Sequence, residues 1–261
     1  MESANRSVDD DLSARLARCY TGVVYDVLRG RGITECVLPS AIIPLDPTMV
    51  AVGPVFTVRG WPDATVSPHE TLLLWTGLLS RAPKGHVVMM QGNDSARALM
   101  GELSAETLEF RGVRGYIVDG GCRDTAFIRK IGFPVFCDKA TPRDIVGAWV
   151  PVAYDEPISY GQVVVRPGDY VLADCDGIVV IPQAIVAEVV EAATAAMSTE
   201  DKVRAPPSSR ASTRGRPTST TASSNAGLRV RRAYKAAMRP TRLPTVTSSS
   251  CGSTGLARWT W

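Results

Sequence analysis

Helix and strand patterns alternate between residues 51 and 137 of this sequence, and several strand patterns then follow in succession. Helices are predicted where apolar residues recur at three- and four-residue steps: 9–30, 69–79, 95–110, 125–131 and 184–200. Strands are predicted where short apolar runs are bounded by turn residues: 51–58, 86–90, 115–118, 134–137, 151–158, 162–166, 170–173 and 178–181. This order of elements predicts a mixed α/β domain.

The composition changes at residue 205. From Ala205 to Trp261 there are 10 Lys and Arg, no Asp or Glu, and 19 Ser and Thr, whereas residues 1–204 hold 19 basic and 26 acidic groups. A segment so poor in apolar residues cannot bury enough surface to offset its ordering entropy. We therefore expect one domain over 1–204, followed by a disordered basic Ser/Thr/Pro/Arg-rich tail over 205–261. A genuine extension and a shifted reading frame would both give such a tail.

Several classes of protein are excluded by composition. The six cysteines form no Cys-x-x-Cys pair, and His69 and His86 are the only histidines, so a zinc site is not expected. No apolar run approaches the roughly 18 residues of a membrane span, and the first residues lack the apolar core of a signal peptide. The five Trp do not alternate with basic residues. We expect a cytoplasmic protein without a membrane or nucleic-acid partner.

A glycine-rich turn, Asp119 to Asp124, lies between the predicted strand 115–118 and a predicted helix. Its two glycines would let the backbone approach a ligand closely. Arg123 offers a planar fork for a carboxylate, and Asp124 offers a hard oxygen ligand for Mg²⁺ or Mn²⁺. An ordinary ion pair between these neighbours explains the same residues. The turn lacks the glycine spacing of nucleotide-binding loops and the lysine of a P-loop.

Two further segments carry carboxylates. Glu102 follows Gly101 after a polar loop, and such a loop can present backbone amides to a substrate carboxylate. A solvated helix residue is the alternative for Glu102. The segment Asp174 to Gly177 is a second acidic stretch, although turn chemistry alone explains Asp and Gly there.

These residues together resemble the RraA-like family. Its signature is matched by Gly115-x-x-x-Asp119-Gly120-x-x-Arg123-Asp124 followed by Pro134-Val135-Phe136. Further resemblance lies in five segments spread over residues 10–204: 24–28, 52–58, 94–103, 168–169 and 174–182. Members of the family include class II 4-hydroxy-4-methyl-2-oxoglutarate / 4-carboxy-4-hydroxy-2-oxoadipate aldolases and the regulator of ribonuclease activity A.

The resemblance implies a fold, an assembly and an activity. The fold is an α/β domain with a β/β/α swivelling-type core, and the assembly is a homotrimer or a hexamer of two trimers with active sites between subunits. The activity is that of a divalent-metal-dependent lyase, which cleaves 4-hydroxy-2-oxo acids to pyruvate and a second oxo acid. Decarboxylation of oxaloacetate passes through the same pyruvate enolate, so one site could catalyse both reactions. The alternatives are a non-catalytic regulator that binds an RNase or another protein, and an enzyme with a different metal-dependent reaction.

The resemblance also implies roles for individual residues. Asp124 would bind the divalent metal, Mg²⁺ or Mn²⁺, and Arg123 the substrate carboxylate and carbonyl side. Glu102 would hold metal-bound water, and Glu200 would reach over from the neighbouring subunit. The expected backbone contacts to the substrate lie in the two glycine-containing segments: Gly101, Leu103, Ser104 and Gly121.

Overall fold

The computed structural model of the protein describes residues 10–204 and the side chains of 10–199. The predicted disordered tail, 205–261, therefore lies outside the described residues. Within the described part, no helix combines the length and the apolar character that crossing a membrane requires.

The helices and strands follow one another in the predicted order, with additional short strands. The helices are α1 (10–16), α2 (Thr21–Gly30), α3 (Pro68–Arg81), α4 (Glu102–Phe110), α5 (Thr125–Ile131) and α6 (Val186–Arg204). The strands are β1 (Ile43–Pro44), β2 (Ala51–Pro62), β3 (Val87–Gln91), β4 (Gly115–Val118), β5 (Gly121–Cys122), β6 (Val135–Cys137), β7 (Lys139–Ala140), β8 (Trp149–Tyr154), β9 (Ile158–Tyr160), β10 (Val163–Val165), β11 (Tyr170–Asp174) and β12 (Gly177–Ile181).

One sheet of eight strands organises the molecule, in the order β1-β6-β4-β3-β2-β11-β12, with β8 also paired to β2. The pairs β2–β3, β3–β4 and β4–β6 are parallel, and the flanking pairs are antiparallel. Because the carboxyl ends of parallel strands share one edge, the segments that follow β3, β4 and β6 meet there. A parallel pair, β5–β7, continues from that edge, and β9–β10 is a separate hairpin.

Three apolar clusters fill the spaces between these layers. One contains Phe56, Tyr116 and Trp149 and packs α3, α4 and α5 on the parallel part of the sheet. The second packs α1, α2 and α6 on β11 and β12. The third lies between the sheet and the β9–β10 hairpin and contains Met89 and Tyr160. The mixed α/β class is confirmed, and the hairpin supplies the second β layer of the β/β/α core.

The predicted helix 9–30 is wrong as a single element, because α1 and α2 are separate helices. Tight turns close α1, where the Cys19 N–H donates to the Leu16 carbonyl at 2.9 Å. Tyr20 is then extended, with φ −119° and ψ 158°. Thr21 restarts the helix by donating its N–H and its hydroxyl to the Asp174 carboxylate, each at 2.8 Å. A contact between distant segments thus interrupts a continuous apolar pattern.

The predicted helix 95–110 is also wrong in its first turns, because α4 begins at Glu102. The preceding residues bond to other segments instead of to each other. Leu99 N–H donates to the Gly121 carbonyl at 2.8 Å, and Ala98 N–H donates to the Arg143 carbonyl at 2.7 Å. The predicted strand 151–158 is likewise divided, because Asp155 adopts a left-handed conformation with φ 52° between β8 and β9.

Candidate functional site

The glycine-rich turn follows strand β4, and other segments of the chain pack closely against its two glycines. An added Cβ at Gly120 would lie 2.8 Å from Leu99 Cδ1, and one at Gly121 would lie 2.8 Å from the Arg97 carbonyl oxygen. Gly121 also donates its N–H to Arg97 and accepts the N–H of Leu99. The two glycines therefore serve packing and strand pairing in this turn. A substrate contact by the Gly121 backbone stays a prediction.

Arg123 and Asp124 stand at the exposed end of the turn. Asp124 has φ 56° and ψ 30°, a left-handed conformation that Asp adopts more readily than most residues, and α5 begins directly after it. The Arg123 N–H donates to the Met100 carbonyl at 2.9 Å, which ties the turn to the segment before α4. The side chains of both residues are 41% exposed, so a small solute can reach them.

The start of α4 lies against this pair. An added Cβ at Gly101 would be 3.0 Å from Asp124 Oδ2 and 3.3 Å from Arg123 Nε, so a larger residue would displace these side chains by a few tenths of an ångström. The Glu102 N–H donates to Asp124 Oδ2 at 3.3 Å. Since the first amides of a helix have no intrahelical partner, the N–H groups of Leu103 and Ser104 are free to bind an anion here.

The side chains of the first turn of α4 have different surroundings. Glu102 is half-buried, whereas Leu103 is 77% exposed. The Ser104 hydroxyl accepts a hydrogen bond from Trp75 Nε1 at 2.8 Å, so its contribution to a site would come from its backbone. The structure thus brings together six of the residues that the sequence singles out: Gly101, Glu102, Leu103, Ser104, Arg123 and Asp124.

The loop between β3 and α4 is braced by a buried carboxylate. Asp94 has a side chain only 3% exposed and pairs with Arg97 at 2.7 Å. Its other oxygen accepts the Ala96 N–H at 2.7 Å. Burial alone would raise the pKa of Asp94, but the Arg97 guanidinium and the two backbone N–H groups outweigh burial and hold the pKa below its usual value.

Asp119 and Asp144 are two residues to which the sequence assigned no role. Asp119 accepts a short hydrogen bond from the Gly92 N–H, which joins the ends of β4 and β3. Burial, reinforced by the nearby Asp138 carboxylate, raises the pKa of Asp119 to about 6. Asp144 accepts a hydrogen bond from Arg123 Nη1 at 3.2 Å. Nothing in the local pattern around either residue signals these contacts.

Glu200 belongs to α6, but the structure describes only its backbone and not its side chain. The described part of α6 packs against α2 and the strands β11 and β12, whereas α5, which begins just after Arg123, packs in a different apolar cluster. The expected role of Glu200 is therefore a prediction about a neighbouring subunit.

A different acidic group could also attract a cation. In residues 10–199, three potential ligand atoms lie within 4.8 Å of one another at one group, Asp174, Cys175 and Asp176. The Asp174 oxygens, however, already accept hydrogen bonds from Thr21 and from the Asp176 N–H. The segment thus caps α2 and closes the β11–β12 turn, as turn chemistry predicted.

The fold and the Arg123–Asp124 pair define an α/β protein with an arginine–carboxylate site at the carboxyl edge of the parallel part of its sheet. The chain belongs to the RraA-like family, since the family model described as Aldolase/RraA matches residues 21–180. The resemblance seen in the sequence is therefore confirmed.

Known relatives carry two kinds of description. The chain is similar to two proteins named "Putative 4-hydroxy-4-methyl-2-oxoglutarate aldolase". The Halalkalibacterium halodurans one is 31% identical over 58% of this chain and 68% of its own length. The Alcanivorax borkumensis one is 36% identical over 51% and 79%. The chain is also similar to the crystal structure of Streptomyces coelicolor RraAS2, which is described as an unusual member of the RNase ES inhibitor RraA protein family. The two align with a TM-score of 0.66 at 30% identity, over 75% of this chain and 96% of that one.

Proposed function

We propose that the protein is a divalent-metal-dependent lyase that cleaves 4-hydroxy-2-oxo acids of the 4-hydroxy-4-methyl-2-oxoglutarate type. The products are pyruvate and a second oxo acid, and we expect the same site to decarboxylate oxaloacetate. One observation carries the proposal: Asp124 Oδ2 lies 3.3 Å from the Glu102 amide and 3.5 Å from Arg123 Nε. A carboxylate, a guanidinium and the free amides of a helix thus converge on one half-exposed point.

Positively charged and N–H donor groups would bind the 2-oxo acid end of the substrate. Arg123 presents N–H donors suited to the 2-oxo acid's carboxylate and carbonyl oxygens. The Leu103 and Ser104 amides point out of the first turn of α4 and favour the same carboxylate. When the C3–C4 bond breaks, negative charge develops on the pyruvate enolate, and Arg123 stabilises it.

The proton moves between the substrate and the carboxylates. Glu102 is half-buried and its backbone N–H donates to Asp124, and its carboxylate would accept the proton of the 4-hydroxyl group as the C4 carbonyl forms. Glu102 would then return this proton to C3 of the enolate, which gives pyruvate. In oxaloacetate the same C3–C4 bond breaks with loss of CO₂, and the enolate takes its C3 proton from water.

The donor set fits a hard divalent cation. Asp124 offers carboxylate oxygens at a side chain that is 41% exposed, which leaves room for the waters that Mg²⁺ retains. Asp124 would hold the cation, with Glu102 next to it. When bound, Mg²⁺ or Mn²⁺ would supply Lewis-acid stabilisation of the charge on the 2-oxo oxygen.

We also propose that the site is shared between subunits of a homotrimer or a hexamer. Leu103 is 77% exposed and Phe127 is 55% exposed beside Arg123 and Asp124, and a second subunit would cover such apolar side chains. Glu200 of the partner subunit would then complete the site. Mixing inactive Asp124→Asn and Glu200→Gln proteins should restore activity in hybrid assemblies. Mixtures that stay inactive after subunit exchange would contradict the shared site.

The activity is tested by pyruvate release from 4-hydroxy-4-methyl-2-oxoglutarate and from oxaloacetate, with Mg²⁺ and after chelation. Asp124→Asn should reduce kcat/KM by about 10²–10³, since it removes the metal-binding carboxylate. Asp176→Asn makes the same change at an exposed position of the other acidic group and should retain activity. Turnover that survives both chelation and Asp124→Asn would refute the lyase.

We further propose that residues 1–204 form the catalytic domain, acting in the cytoplasm, and that 205–261 take no part in catalysis. A chain ending after residue 204 should keep the kcat/KM of the full chain. A loss of activity in this chain, with Glu200 retained, would assign the tail a role.

A regulatory function is the second candidate, because the similar Streptomyces coelicolor protein is described within an RNase ES inhibitor family. A regulator would slow RNA cleavage by an RNase ES-type enzyme in a purified assay, and Asp124→Asn would not change the effect. The lyase alone predicts no inhibition of RNA cleavage.

A further inference from the structure

The Arg123 guanidinium faces two carboxylates at different distances. Asp144 Oδ2 lies 3.2 Å from Nη1, within hydrogen-bonding distance, whereas Asp124 Oδ2 lies 3.5 Å from Nε, which is long for a hydrogen bond. The side chains are 41% to 45% exposed, so both contacts are partly screened by water. Asp144 is thus the better hydrogen-bond partner of Arg123.

Asp144 is held in place by its own loop. Its second oxygen, Oδ1, accepts the Val146 N–H at 3.2 Å. The preceding residue, Arg143, accepts the Ala98 N–H through its carbonyl at 2.7 Å. The loop is therefore fastened to the segment that leads into α4, and the Asp144 carboxylate approaches Arg123 from a fixed point.

The two carboxylates leave the Nη2 nitrogen of the guanidinium available. Asp144 engages Nη1 and Asp124 faces Nε, while within residues 10–199 no acceptor is hydrogen-bonded to Nη2. A carboxylate ligand binds best to two parallel N–H groups, and each such pair in a guanidinium includes Nη2. Without Asp144 the guanidinium could rotate about the end of its side chain and present a different edge.

We propose that Asp144 is a positioning residue for substrate binding, which holds Arg123 so that its Nη2 N–H groups face the substrate carboxylate. This inference rests on the proposed function, in which Arg123 binds the 2-oxo acid. Asp144 acts through Arg123 and does not itself touch the substrate. A rival explanation gives Asp144 only the local role of closing its turn through Val146.

The variant Asp144→Asn separates the two explanations, because the amide oxygen still accepts the Val146 N–H while the charge facing Arg123 is lost. We expect about a fivefold rise in KM and in the pyruvate inhibition constant, matching the upper range of an exposed ion pair, with kcat nearly constant. The melting temperature should stay unchanged. Glu109→Gln changes the net charge equally at an exposed position of α4 and should leave all these values unchanged.

A double-mutant comparison supplies the readout that a structural role would not produce. In the Arg123→Ala background, Asp144→Asn should have no further effect on KM or on inhibition by pyruvate. Equal effects of Asp144→Asn with and without Arg123 would overturn the proposal, as would an unchanged KM in the single variant.

Calorimetric titration with oxalate in the presence of Mg²⁺ keeps this inference separate from the proposed lyase. If the wild-type protein releases no pyruvate, the lyase fails, and oxalate affinity then decides the role of Asp144. About fivefold weaker oxalate binding by Asp144→Asn, but not by Glu109→Gln, supports positioning. Equal affinities, or no oxalate binding by the wild-type protein, overturn it.

Discussion

Replacing Gly101 by alanine tests whether the contact between α4 and Asp124 matters for function. The new Cβ would lie 3.0 Å from Asp124 Oδ2 and 3.3 Å from Arg123 Nε, where ordinary contacts begin at 3.4 Å. Both functional side chains would have to move by a few tenths of an ångström. The substitution adds one methyl group and no charge, so any effect on catalysis comes from displacement.

The cost to stability should be small. Gly101 has φ −149° and ψ 175°, an extended conformation that alanine adopts without strain. Alanine is a poorer N-cap than glycine by about 1 kcal/mol. The lower entropy of the unfolded chain offsets roughly 0.4–1 kcal/mol of this cost. The net change is below about 1 kcal/mol, which shifts the melting temperature by at most roughly 2–4 °C.

The cost to catalysis should be larger. A misplacement of about 1 Å can lower a rate by about 10², so a shift of a few tenths of an ångström at both Asp124 and Arg123 should lower kcat/KM by about tenfold. The measurement pairs pyruvate release at saturating Mg²⁺ with a thermal melt. Gly77→Ala is the matched control, because its Cβ would meet only the flexible end of Arg81, at 3.1 Å.

Two outcomes would refute this reasoning. Full activity of Gly101→Ala would show that the approach of α4 to Asp124 has no functional role. A melting temperature lowered by 10 °C or more would show that the glycine is required for folding, so the loss of activity could not be assigned to displacement. Gly77→Ala should keep full activity and melt slightly higher, since alanine favours a helix interior by about 1 kcal/mol.

Three further substitutions test the framework of the site. Burial raises the pKa of Asp119 to about 6, above the ~3.9 of an unfolded chain. The free energy of unfolding should therefore fall by roughly 2–3 kcal/mol as pH rises from about 4 to 6. Urea titrations of Asp119→Asn should lack this fall, and a pH profile identical to that of the wild-type protein would contradict the assignment. Asp94→Ala removes the partner of Arg97, at a position where the Asp94 side chain is only 3% exposed. It should lower the free energy of unfolding, measured in urea, by about 2 kcal/mol. A change below about 0.5 kcal/mol would show that the Asp94–Arg97 pair does not stabilise the loop. Asp174→Ala removes the acceptor of the Thr21 N–H and hydroxyl. The free energy of unfolding should fall by about 1–2 kcal/mol, and the metal requirement for pyruvate release should stay unchanged. An altered metal requirement would indicate that the metal binds at the Asp174 turn.

Local sequence determined the elements whose ends are marked within the element itself. The strand 115–118 and the helix 125–131 are found with the predicted bounds. In both, glycine or a turn residue stands at the boundary, and the apolar pattern needs no distant partner. The motif from Gly115 to Asp124 also carries the family resemblance without any tertiary information. The neighbours Arg123 and Asp124 are adjacent in the chain, so their proximity followed from the sequence.

Tertiary structure decided where α4 begins and which groups surround Arg123. The apolar pattern favours a helix from residue 95, but hydrogen bonds from Ala98 to Arg143 and from Leu99 to Gly121 hold the chain away from helical geometry until Glu102. Asp144 lies 21 residues from Arg123 in the sequence, and no periodicity relates them. A hydrogen bond between distant segments depends on how the whole sheet brings its loops together, whereas a local pattern reports only a segment's own preferences.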